Sequence, residues 1–317
     1  MSGGSTGVGL LIARSAVHVG TGEASGSIDR PIMREHNTRL PMIPASTVKG
    51  AMRDACRPDS EIEKALMAWR DLFGPERDLG EPGTAAIFQP EDARLVVMPV
   101  PASGLAFAWV TSPYLLLRLA QACQEAGITL PAGGDVPVPQ AGKVLRALAY
   151  GAQSVSIADL TFGADSDEAR QSLTQAWADW LAGLIFDATW HDAVGWRQMF
   201  RHQFTIVSNT VMHHLSLSGT EVRPRISRND DGTVSAKALW FEELLPEYAV
   251  LSCEWSLQPL AHARVLKPAH MGVAQKWAAG ETNALGVGPV PGRLRLGGLQ
   301  GTGKGRLAWA LVRDAAA

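Results

Sequence analysis

Residues 18–53, HVGTGEASGSIDRPIMREHNTRLPMIPASTVKGAMR, restrict the fold more than any other stretch of the chain. Residues 8–19 read as a strand that enters a glycine turn at residues 20–22, and a loop carrying Asp29 then runs on to Pro41 and Pro44. Only there can a helix start, with Ser46 or Thr47 as a natural N-cap and residues 48–56 of helical character up to Pro58. A strand separated from its helix by so long a loop does not keep strict strand-helix alternation.

The remaining elements agree with that reading. Helices fit residues 61–73, closed by Gly74, and 114–126, closed by Gly127 with Pro113 at the start. Residues 168–186 form a further helix, whose Trp177, Trp180 and Phe186 are core candidates. Strands fit residues 93–100, 105–110, 251–257, 293–296 and 307–312. Residues 2–7 are loose, and 130–139 form a Pro/Gly loop. EVRPRISR and TVSAKALW flank Asn229, Asp230, Asp231 and Gly232, which supply hairpin-turn chemistry. Mixed strands and helices in this order predict an α+β fold.

The 317 residues suffice for one large domain with insertions or for two. Apolar runs stop well short of the roughly 18 residues of a membrane span, and the N-terminus lacks a basic stretch before an apolar one, so no membrane association and a cytoplasmic location are expected. Cys56, Cys123 and Cys253 are too far apart for metal or redox motifs and read as buried thiols. A net charge of -2 gives no bulk attraction for phosphate, but its distribution does. Acidic residues gather in 61–92, whereas Arg264, Lys267, Lys276, Arg293, Arg295, Lys304, Arg306 and Arg313 face only Glu281 and Asp314 near the C-terminus.

Lys49 and Arg53 are one helical turn apart, on one face near the free N–H groups of a helix start, which suits successive phosphates as well as an ordinary solvated face. Residues 298–304 match a P-loop except that Gly305 replaces the magnesium-binding Ser or Thr, and a strand follows where a nucleotide site needs a helix. A nucleotide-hydrolysing enzyme is therefore excluded. The loop instead offers close main-chain approach around Gly301 and Gly303, with charge from Lys304 and Arg306. His213 and His214, as neighbours on an extended chain, would point apart and make no zinc site. Glu242 and Glu243 after Trp240 could assist a neighbouring site, but read first as a solvated helix start. In the hairpin, Arg223, Arg225, Arg228 and Lys237 could follow phosphates while Val222 or Ile226 presents an apolar wedge.

The segment 18–53, together with LFGPE at residues 72–76, the run at 92–119, ALWFEELLPE at 238–247 and LGGLQGTGKGRL at 296–307, resembles the RAMP superfamily of CRISPR proteins. Within it the resemblance is to the repeated backbone subunit of type III-B Cmr effector complexes. The resemblance implies a single domain over residues 1–317: a ferredoxin-like, RRM-related palm with helical insertions at about 58–92 and 140–190 and a thumb β-hairpin at about 208–240. It implies guide-RNA contacts from Ser46, Lys49, Gly50 and Arg53, in the pattern SxxKGxxR, and from Gly301, Gly303, Lys304 and Arg306 in the glycine loop. It places Asp29, in GxIDxPIxRE, as the catalytic acid with His18 near the same RNA, and puts Val222, Arg223, Arg225 and Ile226 against the guide-target duplex.

The expected activity is cleavage of complementary target RNA at regular intervals, with a divalent cation such as Mg2+ as cofactor. The expected partners are a CRISPR guide RNA, target RNA, further copies in a head-to-tail filament and other complex subunits, including the large polymerase-like one. Two alternatives stand beside it: a non-catalytic backbone subunit of the related Csm type, and a stand-alone RAMP endonuclease maturing precursor CRISPR RNA.

Overall fold

The structure, a computed structural model, describes residues 5–24, 26, 28–58, 63–74, 86–147, 154–187, 189–228, 234–258, 268–280, 287 and 290–313. The expected hairpin turn at residues 229–232 lies outside these, as do Arg264 and Lys267, and the side chain of Lys237 is likewise outside the description.

β1 (Ser5–Ala13) is apolar on alternate and intervening positions because both of its faces are covered. Val8, Leu10 and Ile12 enter one core with Trp109 and Trp177, whereas Leu11 and Ala13 enter another with Trp69 and Trp277. The strand takes in residues expected to be loose and stops six residues earlier than predicted. Val17 and His18 make only single bridges, to Leu245 and Gly298.

The loop beyond leads through β2 (Met42–Ile43) to α1 (Ala45–Ala55). Pro44, not Ser46 or Thr47, occupies the N-cap position, and no side chain there caps the helix. Asp92 supplies the acceptor from a distance, taking the Ala45 N–H at 2.8 Å. α2 (Glu63–Phe73), β3 (Phe88–Pro90) and β4 (Ala93–Val100) follow, and then β5 (Ala108–Thr111) and α3 (Pro113–Glu125). Gly74 and Gly127 take positive φ after their helices, as their sequence positions predict.

The segment expected to be a helical insertion also carries β6 (Lys143–Arg146), β7 (Ser154–Ile157) and β8 (Leu160–Ala164) before α4 (Glu168–Ile185). Asp167 caps α4 by accepting the Arg170 N–H. Trp177 is fully buried yet polar-satisfied, its indole N–H donating to the Asp135 carbonyl at 2.8 Å. α5 (Ala193–Gln203), β9 (Phe204–Ile206) and α6 (Asn209–Ser218) complete this region. His213 and His214 therefore sit on a helix, both exposed, and not on the extended chain that sequence suggested.

β10 (Glu221–Arg228) and β11 (Val234–Leu244) pair as a separate two-stranded sheet. The hairpin thus starts after α6 and runs four residues past Trp240. β12 (Val250–Leu257), α7 (Pro268–Ala278), β13 (Arg293–Arg295) and β14 (Arg306–Leu311) end the chain.

The centre of the large sheet has the order β14-β1-β12-β4, every neighbour antiparallel. With α1 between β1 and β4 and α7 between β12 and β14, this is the β-α-β-β-α-β arrangement of a ferredoxin-like fold. The expected α+β palm is present. α1, α2 and α7 cover one face, while α3, α4 and α5 cover the other. Everything from β5 to β11 is inserted between β4 and β12, so the hairpin root and the loop after β1 meet at one end of the palm.

Candidate nucleic-acid interface and cleavage site

Asp29 lies exposed on the loop after β1, and its position is fixed from across the molecule. The Phe241 N–H in β11 donates to Asp29 Oδ2 at 2.8 Å. The next residues run alongside the same strand: the Arg30 N–H donates to the Phe241 carbonyl at 3.1 Å, and the Glu243 N–H to the Arg30 carbonyl at 3.0 Å. One carboxylate oxygen of Asp29 is thereby used for anchoring, leaving the other for an external group.

Glu242 and Glu243 correct the sequence reading most sharply. They are strand residues of β11, exposed by only 2% and 3%, not a solvated helix start. Glu242 accepts from Arg30 at 3.2 Å, from Arg225 of β10 at 3.0 Å and from the Trp240 indole N–H at 2.9 Å. Burial opposes its ionisation, but those donors prevail and hold its pKa below the usual glutamate value. Glu243 takes the Ile32 N–H at 3.0 Å, Arg34 at 2.5 Å and the Thr220 hydroxyl at 2.8 Å. These two acids tie the hairpin to both ends of the Asp29-Pro31 turn. The register Glu221↔Leu244, which carries β11 past both acids, is set by the fold and not by the eight-residue runs of the sequence.

His18 is buried, 7% exposed, and its Nδ1 lies 2.8 Å from the Glu243 carbonyl. A carbonyl only accepts, so Nδ1 carries the proton. Nε2 lies against Gly20, where a Cβ would come within 2.8 Å of it. His18, Asp29, Glu23, Arg30 and Gly298 line one cleft of about 490 Å³. The structure therefore brings together the two residues that the sequence proposed for catalysis.

The glycine loop closes this cleft on one side. The Gly298 N–H donates to the His18 carbonyl at 2.8 Å and the Gly305 N–H to the Ala16 carbonyl at 3.0 Å, stitching both ends of the loop to the segment after β1. Two positions demand glycine: Gly297, with φ +80° and the His18 carbonyl 2.4 Å from any Cβ, and Gly305, with φ +76° and the Leu296 carbonyl at 2.2 Å. Gly301 and Gly303 instead face open space on the exposed tip, beside half-buried Lys304 and exposed Arg306. A strand, β14, follows the loop, as the rejection of a P-loop required.

On α1, Lys49 is half-buried and Ser46 exposed. Burial, and then the charge of Arg53, lowers the Lys49 pKa. Arg53 is not simply solvent-facing, since its guanidinium lies 4.6 Å over Trp69, whose indole N–H donates to the Arg53 carbonyl. On the hairpin, Val222 and Ile226 are each 48% exposed and Leu239, paired across from Ile226, is 57% exposed. Arg223 pairs with Glu221, while Arg225 reaches Glu242 and the Thr302 hydroxyl of the glycine loop.

Among the described residues no three His, Cys, Asp or Glu side chains come together as a metal group, and no helix is long and apolar enough to cross a membrane. All three cysteines are buried thiols, and burial raises Cys56 and Cys123 to about 11 and about 12.

Comparison with known proteins agrees with this geometry. The CRISPR system Cmr endoribonuclease Cmr4 of Pyrococcus furiosus is 23% identical over 237 residues, covering 74% of this chain and 76% of that protein. The Cms endoribonuclease Csm3 of Methanothermobacter thermautotrophicus is 44% identical over 48 residues, 14% of this chain and 20% of its own. Oligomeric Cmr4 from Pyrococcus furiosus superposes with a TM-score of 0.68 at 18% identity, covering 98% of this chain and 99% of that one. A chain of the type III-B Cmr-beta complex bound to cognate target RNA gives 0.65 at 15% identity, with 97% of both covered. The RAMP superfamily profile matches residues 11–258, from within β1 through the end of β12, so this ferredoxin-like palm with its inserted hairpin belongs to the RAMP superfamily.

Proposed function

We propose that the chain is a repeated backbone subunit of a type III-B CRISPR RNA-guided complex in the cytoplasm, binding the guide RNA and cleaving complementary target RNA at regular intervals. The observation that carries the reading is the Asp29 carboxylate, exposed at a cleft beside the glycine loop and pinned by Phe241 at the root of a hairpin whose strands expose Val222, Ile226 and Leu239. Its similarity to a Cmr endoribonuclease over three quarters of the chain supports the same assignment.

Cleavage by this chemistry forms a bond from the 2′-oxygen to phosphorus and breaks the bond from phosphorus to the 5′-oxygen. The products are a 2′,3′-cyclic phosphate and a 5′-hydroxyl. A-form duplex holds the attacking oxygen, phosphorus and leaving oxygen away from a line. Val222, Ile226 and Leu239, exposed on the hairpin, supply apolar surface that can enter a base step and free one nucleotide to relax into line. The free oxygen of Asp29 accepts the 2′-hydroxyl proton or orients that hydroxyl. Nε2 of His18 faces the same cleft and is placed to exchange a proton there. Were Mg2+ bound here, Asp29 and Glu23, both on the cleft, would supply the one or two carboxylates it takes when substrate phosphates provide its other ligands. Such an ion would offset charge at the scissile phosphate.

Lys49 and the glycine-loop cations Lys304 and Arg306 hold guide phosphates, independently of base sequence. Copies then follow one another along the guide in a head-to-tail, non-closing array with other complex subunits at its ends. The test is a time course of end-labelled target RNA on complexes of wild type and Asp29→Asn matched for guide occupancy. Regularly spaced cuts that vanish together in the variant support the reading; cuts at the wild-type rate overturn it.

A further inference from the structure

A cavity of about 910 Å³ lies apart from the cleft that holds Asp29. It lies on the other side of the glycine loop, between the palm and the connection from α4 to α5. Arg14, Arg293, Arg295 and Arg306 line it from the ends of β1, β13 and β14, and Trp190 and Tyr248 line it from the insertion and from the turn before β12. Its volume is within the roughly 300–1,000 Å³ that small-molecule sites occupy.

The charge in this cavity is not neutralised. Two carboxylates, Asp54 and Glu247, reach the lining beside the four arginines. None of the ion pairs among the described residues involves Arg14, Arg293, Arg295 or Arg306. Burial and then the charge of Arg293 lower the Arg14 pKa, and they prevail over the opposing pull of Tyr248 and Glu247. The Arg14 guanidinium carbon lies over the Trp190 ring, 3.6 Å from the centroid. Tyr248 is also constrained, with φ +70°, and its ring lies parallel to Phe107 at 5.9 Å. A concave group of guanidiniums that lack a carboxylate partner, with Arg14 already seated over an indole ring and Arg306 donating to the Arg14 carbonyl, matches a ligand that joins a phosphate to an aromatic base.

We propose that this cavity binds one nucleotide of single-stranded RNA, its phosphate on Arg293 and Arg306 and its base on the face of Arg14 opposite Trp190. The proposal rests on the RNA-binding function above and adds a second, non-cleaving contact on the far side of the glycine loop. Arg306 then belongs to this cavity and not to the Asp29 cleft, and the loop becomes a partition between a holding site and a cutting site.

The experiment uses the full chain with a 5′-labelled single-stranded RNA carrying 4-thiouridine. Binding is measured against salt for wild type, Arg293→Gln and Arg14→Gln, and photo-crosslinked peptides are mapped by mass spectrometry. Arg293 is on the protein surface, so its variant keeps the fold even where loss of the Arg14 stack disturbs Trp190. The expected results are a roughly tenfold or greater loss of affinity for each variant, a salt slope shallower by about one for Arg293→Gln, and a crosslink on the peptide holding Trp190 or Tyr248. Wild-type affinity in Arg293→Gln, with crosslinks confined to the Asp29 loop and the hairpin, which do not line the cavity, overturns the cavity while leaving RNA binding intact. Loss of self-association with unchanged RNA affinity also overturns it, assigning the cavity to a protein interface. A wild-type chain that binds no RNA overturns the proposed function itself.

Discussion

Asp29 and Phe241, separated by 212 positions in the chain, are joined by a single hydrogen bond of 2.8 Å from the Phe241 N–H to Asp29 Oδ2. The bond places the exposed acid at the point where the hairpin leaves the palm. It also means that removing the acid has two effects, chemical and structural, which different substitutions separate.

Asp29→Ala should slow target cleavage by roughly 100-fold or more, the scale of one positioned proton-transfer group. It also orphans the Phe241 N–H at an exposed site, at a cost of about 1 kcal/mol. Asp29→Asn retains an acceptor for that N–H and loses the base, so its melting temperature should match wild type while cleavage falls as far as in the alanine variant. Cleavage at the normal rate in a folded Asp29→Ala complex would remove Asp29 as the catalytic residue and leave His18 as the candidate.

Glu242 gives a pH dependence of stability. Its folded pKa is held below the unfolded value, so its contribution is fully present above the ordinary glutamate range and is lost as pH falls through the lower folded value. Asp165 behaves alike: burial opposes its charge, but the Gln140 and Asp167 N–H groups and Arg170 hold its pKa down. Glu242→Gln should therefore flatten, without abolishing, the acid side of a stability-pH curve measured by denaturant unfolding. At neutral pH it should cost roughly 1–3 kcal/mol, because Arg30 and Arg225 are partly exposed and recover some hydration.

Lys49 and Arg53 should part company despite sharing a helix face. Lys49→Ala should weaken guide binding for all sequences and lower the salt slope by about one, with little change in stability. Arg53→Ala also loses its stack on Trp69 and should lower stability by about 0.5–2 kcal/mol. Salt titrations of RNA affinity, paired with thermal melts, distinguish the two.

The hairpin tip offers a change that leaves packing alone. Ile226→Ser with Leu239→Ser replaces an exposed cross-strand pair, so the fold and guide affinity should remain while the rate of target cleavage drops. If guide affinity falls in parallel with cleavage, the hairpin is a guide clamp and not a wedge.

The cysteines should be inert. Cys56 and Cys123, buried with thiols raised to about 11 and about 12, should resist iodoacetamide at pH 8 until denaturant exposes them.

What could be read from the sequence follows from where the stabilising contacts come from. β4, α3 and α4 declare themselves because periodic apolar residues and flanking Pro or Gly are local signals. β6, β7 and β8 carry four or five residues each and gain strand character only from neighbours, which local pattern cannot supply. The start of α1 reads wrongly for the same reason, since Asp92 provides its acceptor from across the fold. At the site, the motif singled out His18 and Asp29, and both line one cleft. The roles of Glu242 and Glu243 were not legible, because an acid in an apolar strand is stable only with donors such as Arg30, Arg34 and Thr220, two of which lie more than 200 positions away.

β11 is one uninterrupted strand from Val234 to Leu244, and its last residues hold the Asp29 turn by backbone and carboxylate alike. From the exposed Leu239 to Leu244 the strand pairs with β10 in unbroken register. A force that tilts the tip is delivered to the scissile position as a displacement, much as a rigid lever transmits at its fulcrum. A cut would then depend on how the duplex seats against a surface many residues away. A strand that pairs well enough to be captured, yet leaves the tip off its rest position, would be held and left whole.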